Sequence, residues 1–285
     1  MNRGAQHLKA LIKSQADGDS ARAQILLRLY ATDRFLERLS VSPYRENMVL
    51  KGGALIANLV GTDMRSTMDI DAVVKGIPFS VGTAKRLFTE IIAIKLDDGT
   101  SFSLEKIQEI RESAEYASVR LSARAHIDGM KIPFRLDFST GDVITPRAID
   151  YSYELVMEDR KVSLLAYNHE TTLAEKIEAI LSRGVLNTRM RDYYDVWLYR
   201  NELFTEVDLD TLKEAFWSTC ENRNTVIDAV SAKKVLTNIK GDDSLKDLWD
   251  RYRTKFGYAA ELEWNDVIWA TSDMIGEIFA WSDLA

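Results

Sequence analysis

Met48-Val49-Leu50-Lys51-Gly52-Gly53-Ala54-Leu55 and, a short way on, Met68-Asp69-Ile70-Asp71-Ala72-Val73-Val74 are the stretches that decide the fold. The first reads as a short apolar strand that turns through two glycines into a helical segment near Ala54 to Leu59. The second is a strand whose β-branched end belongs in a core, yet it opens with acids at alternate positions. Residues i and i+2 of a strand face the same way, so Asp69 and Asp71 set two carboxylates about 6 to 7 Å apart on one side. A hard divalent cation such as Mg²⁺ is commonly held by one or two carboxylates, with its other positions left to water and substrate phosphates. An edge strand with a wet outer face is the alternative that these residues alone leave open.

Asp-x-Asp also occurs at Asp17/Asp19 and Asp208/Asp210. Both of those pairs precede helical patterns in turn-like surroundings and read as helix caps. A third interesting acid is Asp137, in Phe134-Arg135-Leu136-Asp137-Phe138, a strand among apolar neighbours where an isolated ionised carboxylate is costly. If that strand lies beside the Asp69/Asp71 strand, three carboxylates converge, the ligand set of a metal-dependent phosphoryl or nucleotidyl transfer site.

Outward from these strands, Ser20 to Leu39 carries the apolar stripe of a long amphipathic helix, and Phe79 to Leu96 reads as another. Tyr116 to His126 alternates like a strand, and Asp128-Gly129 is a two-residue hairpin signal leading into Lys131 to Phe138. Beyond Val162 to Leu165 the pattern is helical: Thr171 to Ser182, Arg189 to Tyr199, Asp208 to Cys220, Ser231 to Lys240, Ser244 to Phe256 and Glu263 to Trp281. The expected fold class is α+β: a mixed-sheet lobe with N-terminal helices over 1–155, then a helical lobe over 156–285.

The chain has 285 residues, 46% apolar, with 14 Gly and 4 Pro, which suits an ordered protein with a large core and rules out disorder and collagen-like order. The lone Cys220 forms no internal disulfide, and with only His7, His126 and His169 there is no Cys/His set for structural zinc. No segment has the apolar length of a signal peptide or membrane span, so a cytoplasmic protein that touches no membrane is expected. A net charge of −7 disfavours indiscriminate binding to nucleic acid but leaves room for a local basic groove.

Four separated blocks carry a resemblance: Lys51-Gly52-Gly53-Ala54-Leu55, Arg65-Ser66-Thr67-Met68-Asp69-Ile70-Asp71, Leu173-Ala174-Glu175-Lys176-Ile177-Glu178-Ala179 to Ser182-Arg183, and Arg191-Asp192-Tyr193-Tyr194-Asp195. In that order they resemble the AbiEii/AbiGii-type toxins, which belong to the polymerase-β-like nucleotidyltransferases. The broader superfamily's Gly-Ser turn reads Gly52-Gly53 here, so backbone N–H groups at the helix start, not a serine hydroxyl, would meet the phosphates.

The resemblance implies Asp69, Asp71 and Asp137 as ligands of Mg²⁺ or Mn²⁺, with Asp137 also positioning or deprotonating the attacking hydroxyl. It implies Gly52, Gly53, Arg65 and Thr67 near phosphates and Lys176 as the group that neutralises them, with Asp192 or Asp195 beside it. As isolated residues, Arg65 and Thr67 read as surface polar groups and Lys176 as an ordinary solvated charge. Arg183, Arg189 and Arg191 form a local basic cluster, suited to a triphosphate or to an RNA end and equally to an exposed loop.

The activity so implied is transfer of a nucleoside monophosphate from an NTP to an acceptor hydroxyl, at the 3′ end of tRNA or another RNA. The protein would be a toxin paired with a cognate antitoxin, in a toxin–antitoxin or phage-defence system. Two alternatives stay open at this point: a small molecule or protein side chain as acceptor, or a non-catalytic nucleotide-binding relative. The aromatic residues of the last forty positions read as helix packing, since base-stacking platforms carry interleaved basic residues.

Overall fold

The computed structural model describes residues 5–61, 64–65, 69–110, 118–127 and 129–281, and the chain folds as two compact units. The first comprises Met1–Gly141 and Ala148–Ala166, the second Asp142–Arg147 and Tyr167–Ala285. The helical pattern alone puts the border near residue 155. Contacts keep the strand pair Ile149–Glu154 and Lys161–Ala166 with the first unit.

In the first unit, α1 (Ala5–Ala16) and α2 (Ser20–Ser40) precede β1 (Met48–Lys51), α3 (Gly52–Val60), β2 (Asp69–Val74) and α4 (Val81–Ile92). Then come β3 (Thr100–Ile110), β4 (Ser118–Ile127), β5 (Met130–Ser139), β6 (Ile149–Glu154) and β7 (Lys161–Ala166). The strands make one mixed sheet in the order β3-β4-β5-β2-β1-β7-β6. Only β1/β7 and β2/β5 are parallel pairs.

The hairpin expected from Asp128-Gly129 joins β4 and β5, with Ile127 opposite Met130; Asp128 lies outside the described residues. Strands β3 and β6, which the sequence pattern does not predict, are the two sheet edges, and little of either is fully buried. Strand β3, with no fully buried residue, shows no sharp period-2 pattern, whereas β6 alternates Ile149, Tyr151 and Tyr153 with polar residues over only six positions.

Alternation along β4 buries Val119, Leu121, Ala123, Ala125 and Ile127, and along β5 it buries Ile132, Phe134, Leu136 and Phe138. This face carries α2 and α4. Phe35 of α2 stacks on Phe88 of α4 with centroids 5.7 Å apart, and Phe134 lies 6.2 Å away. Helix α4 presents Ala84, Leu87, Phe88 and Ile91 at the spacing of one helical face, and Ser80 caps its start by accepting from the Thr83 N–H.

Two buried polar groups fix α2. The Arg38 guanidinium grips Asp98 through both oxygens (2.7 and 2.9 Å) and donates to the carbonyls of Ile94 and Thr100, pinning the entry to β3. Asp33 is fully buried and accepts from the Val156 N–H (2.7 Å) and the Tyr153 hydroxyl (3.1 Å). Burial outweighs those hydrogen bonds and pushes its carboxyl up to about 7.

Between the ordinary carboxyl range and about pH 7 the unfolded chain therefore binds fewer protons at this site than the folded one, so stability falls as pH rises through that window. Asp33→Asn should flatten this fall. Denaturant titrations at several pH values would show it, and an unchanged pH slope in the variant would assign the effect elsewhere.

The second unit contains α5 (His169–Arg183), α6 (Met190–Glu202), α7 (Leu209–Asn222), α8 (Ala229–Lys240), α9 (Asp243–Lys255) and α10 (Trp264–Phe279), close to the expected helices. Side-chain N-caps start four of them: Asn168, Asp208, Asp228 and Asp242. Asp208 is thus the cap its sequence context suggests, and Asp19 likewise accepts from the Arg22 N–H. The segment 142–147 joins this unit through Thr145, whose carbonyl accepts from Asn168 Nδ2 (2.6 Å) and Thr171 Oγ1 (3.1 Å). Of the C-terminal aromatics, Trp249, Tyr252 and Trp264 are buried, as a packing role requires, whereas Trp269 is exposed beside Arg200.

Candidate active site

The register of the central strands brings the acids together. Strands β2 and β5 pair in parallel with Asp71 opposite Asp137 and Asp69 opposite Arg135. Paired residues and residues two apart share a face, so Asp69, Asp71 and Asp137 occupy neighbouring positions on one side of the sheet. That side is the one not covered by α2 and α4. Both aspartates of β2 are half-buried, ahead of the buried Ala72, Val73 and Val74.

Asp137 has a partner that the sequence did not reveal. Arg120 of β4 lies opposite it and binds both carboxylate oxygens, Nε to Oδ1 at 2.8 Å and NH2 to Oδ2 at 2.5 Å. The three acids thus converge in register, with Asp137 held by Arg120. Among the described residues, no three His, Cys, Asp or Glu side chains form a group able to hold a metal ion. The donor chemistry at Asp69 and Asp71 still fits a hard divalent cation, being carboxylate oxygen on one face.

Gly52 supports the same place. Its φ of +69° lies in the left-handed region, and a Cβ there would overlap Asp71 Oδ2 and come within 3.1 Å of Asp71 Cγ. A side chain is therefore excluded twice, by the backbone and by the carboxylate. At Gly61, with φ +87°, a Cβ would have nothing within 4 Å. Both Gly→Ala changes should cost ~1–2 kcal/mol for the backbone, but only Gly52→Ala displaces Asp71. Stability and transfer activity measured side by side should show Gly61→Ala weakening the fold alone and Gly52→Ala abolishing transfer as well; equal activity in the two would remove Asp71 from the site.

Gly52 and Gly53 open α3, and its N-cap residue Lys51 makes no side-chain cap. Helix-start N–H groups lacking a side-chain cap suit an anion. Arg65, which the resemblance puts near phosphates and which reads in isolation as a surface group, is only 2% exposed, and Thr67 lies outside the described residues.

In the second unit, Lys176 on α5 meets both acids of α6. Its ammonium lies 2.5 Å from Asp195 Oδ2 and 3.4 Å from Asp192 Oδ1. The Asp195 side chain is fully buried, while those of Lys176 and Asp192 retain about an eighth of their surface at 12% and 13%. Asp195 is thus the anchor and Asp192 the looser companion, whose Oδ2 is buried without a hydrogen-bond partner. Lys176 is not the solvated charge that its sequence neighbours alone suggest.

Glu175 faces elsewhere: with Glu178 it receives Arg223, at 2.9 and 2.6 Å. In the basic segment, Arg183 and Arg189 are exposed and the Arg191 guanidinium lies over the Phe256 ring.

The sequence profile described as nucleotidyl transferase AbiEii toxin, type IV toxin–antitoxin system, matches residues 34–273, and so spans both the carboxylate strands and the Lys176 helix. The chain belongs to the AbiEii nucleotidyltransferase toxin family. As an AbiEii member it is a nucleotidyltransferase, with an NTP substrate and an antitoxin partner implied by the family, which typically uses a divalent metal. The fold has a solved counterpart in MenT4, the nucleotidyltransferase toxin Rv2826c from Mycobacterium tuberculosis H37Rv. The two are 14% identical with a TM-score of 0.58, over 95% of this chain and 98% of that one. JHP933 from Helicobacter pylori matches at 15% identity and a TM-score of 0.43, over 89% of this chain and 92% of its own. No curated protein sequence matches the chain. Among the described residues no helix is long and apolar enough to cross a membrane.

Proposed function

We propose that this AbiEii nucleotidyltransferase transfers a nucleoside monophosphate from an NTP to the 3′-terminal hydroxyl of an RNA, with tRNA as the target, inside the bacterial cytoplasm. In this reading it acts as the toxin of a toxin–antitoxin or phage-defence pair. The observation that carries it is the register that sets Asp71 beside Asp137, with Asp69 one step along the same face and Gly52 cleared to admit the Asp71 carboxylate.

Asp69 and Asp71 would hold the divalent cation, Mg²⁺ or Mn²⁺, which when bound supplies charge neutralisation at the phosphates. The hydroxyl oxygen of the acceptor forms a bond to the α-phosphorus. The bond to the β-phosphate oxygen breaks, and pyrophosphate leaves with that electron pair. Asp137 orients the hydroxyl and accepts its proton, which requires Arg120 to yield one carboxylate oxygen. The N–H groups at Gly52 and Gly53 receive phosphate oxygens. Lys176 supplies a further positive charge to the triphosphate, fixed by Asp195, with a phosphate oxygen competing against the more distant Asp192. Little covalent chemistry is asked of the protein, since positioning and electrostatics carry phosphoryl-type transfer, and no histidine is needed.

The test is to incubate the purified protein with each NTP labelled at the α-phosphate, a divalent metal and total cellular RNA. Label is expected on tRNA at its 3′ end, lost when that end is oxidised with periodate. Label on a small molecule or on protein instead would move the acceptor to that class, and no label with any NTP would overturn the transfer reading.

A further inference from the structure

The sheet face that carries the aspartates continues across β5, β4 and β3 with no covering helix among the described residues, and its composition is unlike the rest of this acidic chain. Successive outward positions are Lys131, Pro133, Arg135 and Asp137 on β5, and His126, Arg124, Ser122 and Arg120 on the neighbouring β4. The register aligns them into rows: Asp69 with Arg135 and Ser122, then Lys106 of β3, and behind these Arg124 with Ser103, and Lys131 with His126 and Ser101. Arg120 and Arg124 are offset by Asp137 and Glu105. Among the described residues, Lys106, Lys131 and Arg135 are exposed and have no ion-pair partner.

From Lys131 to Asp137 the rise of a strand gives a strip ~20 Å long, basic at the hairpin end and acidic at the end with the aspartates. A row of cations and hydroxyls leading to a carboxylate cluster suits a ligand with repeated negative charge and one reactive end. A small acceptor at the aspartates would gain nothing from Lys131, ~20 Å along the strand from Asp137.

We propose that this open face is the track for the acceptor: the single-stranded 3′ end of an RNA lies along β5 and β4, its phosphates on Lys131, Arg135 and Lys106, with its terminal hydroxyl at Asp69, Asp71 and Asp137. The inference rests on the transfer reading above for the identity of the end, and on the sheet alone for the surface. Among the described residues the strip has no Phe, Tyr or Trp side chain on which bases could stack, and its one imidazole, His126, is hydrogen-bonded to Ser103, so it contacts the backbone and does not select sequence.

The test is binding of a fluorescent oligouridylate by fluorescence anisotropy across a salt series, with no nucleotide present. It compares the wild type, a triple Lys106→Gln, Lys131→Gln, Arg135→Gln variant, and Lys85→Gln on α4 as a control. Each substituted residue is exposed, and matching thermal melts confirm the fold. The triple variant should bind more weakly, and its slope of log affinity against log salt should shrink by ~0.7 for each phosphate no longer held, equally for oligouridylate and oligoadenylate, while binding of Mg-NTP in calorimetry is retained.

An affinity and slope equal to those of the wild type would overturn the track, even if the wild type labels RNA. A wild type that binds the oligonucleotide through these residues yet labels no RNA would leave the track standing and sink the transfer reading. A dimer that the triple variant abolishes, with no effect on the oligonucleotide, would instead assign the face to a second copy of the chain.

Discussion

Asp71→Asn is expected to abolish transfer, by at least ~10²-fold as for loss of one preorganised charged group, without lowering the melting temperature. The two results come from one arrangement. Asp71 faces Asp137 across the parallel β2/β5 pair and has Asp69 two positions away on the same face, so acids crowd there and removing a charge relieves repulsion. The amide keeps the shape of the side chain, so the space against Gly52 stays filled. Asp69→Asn should behave alike. Measured transfer rates and thermal melts decide it: full activity in either variant would end the cation-binding assignment, and a large loss of stability would make the aspartates structural.

Asp195→Ala has the second large effect, and here the fold suffers first. The substitution removes a fully buried carboxylate 2.5 Å from the Lys176 ammonium, which lies farther, at 3.4 Å, from Asp192 Oδ1. Breaking a buried pair from one side costs ~3–5 kcal/mol, so the variant should unfold at much lower denaturant. Replacing both partners by apolar residues, Lys176→Met with Asp195→Leu, should restore part of that stability, because the fully buried charge goes together with its partner while Asp192, 13% exposed, loses its ammonium neighbour. If Lys176 also serves the triphosphate, the stable double variant remains inactive and binds NTP weakly. An active double variant would show the lysine to be architecture alone.

How far the sequence discloses this protein depends on which face a residue presents. The helices of the second unit are legible to within two or three residues because each carries an apolar stripe and four start at a side-chain cap: Asp208 is a capping residue in sequence and in structure. Strands β4 and β5 are legible because one face is wholly buried, so alternation is strict. Strand β3 is not, because at a sheet edge Glu105, Lys106, Gln108 and Glu109 are exposed alongside only half-buried apolar residues.

The same divide holds in the site. Asp69 and Asp71 are two positions apart, and their common face follows from strand geometry alone. The clamp of Arg120 on Asp137 depends on the β4/β5 register, and a charged residue gives no signal of which acid it will meet. The burial of Arg65 depends on tertiary packing and has no local signature at all. For Lys176 the helical spacing brings Asp192 and Asp195 to one side of α6, but only the packing of α5 on α6 decides that Asp195 is the anchor.

One consequence follows from the route of the chain. Strand β1 lies inside the sheet, yet one of its two neighbours, β7, is supplied by residues made more than a hundred positions later, and residues 142–147 belong to the other unit before the chain returns. A nascent chain released at Gly141 would have Asp69, Asp71 and Asp137 but would leave the Met48-Val49-Leu50 edge bare, a template for aggregation. Truncated translation products of this gene are therefore prone to clump and be cleared rather than to act as small, unregulated poisons, and efforts to express the carboxylate half by itself must carry the sequence through Ala166.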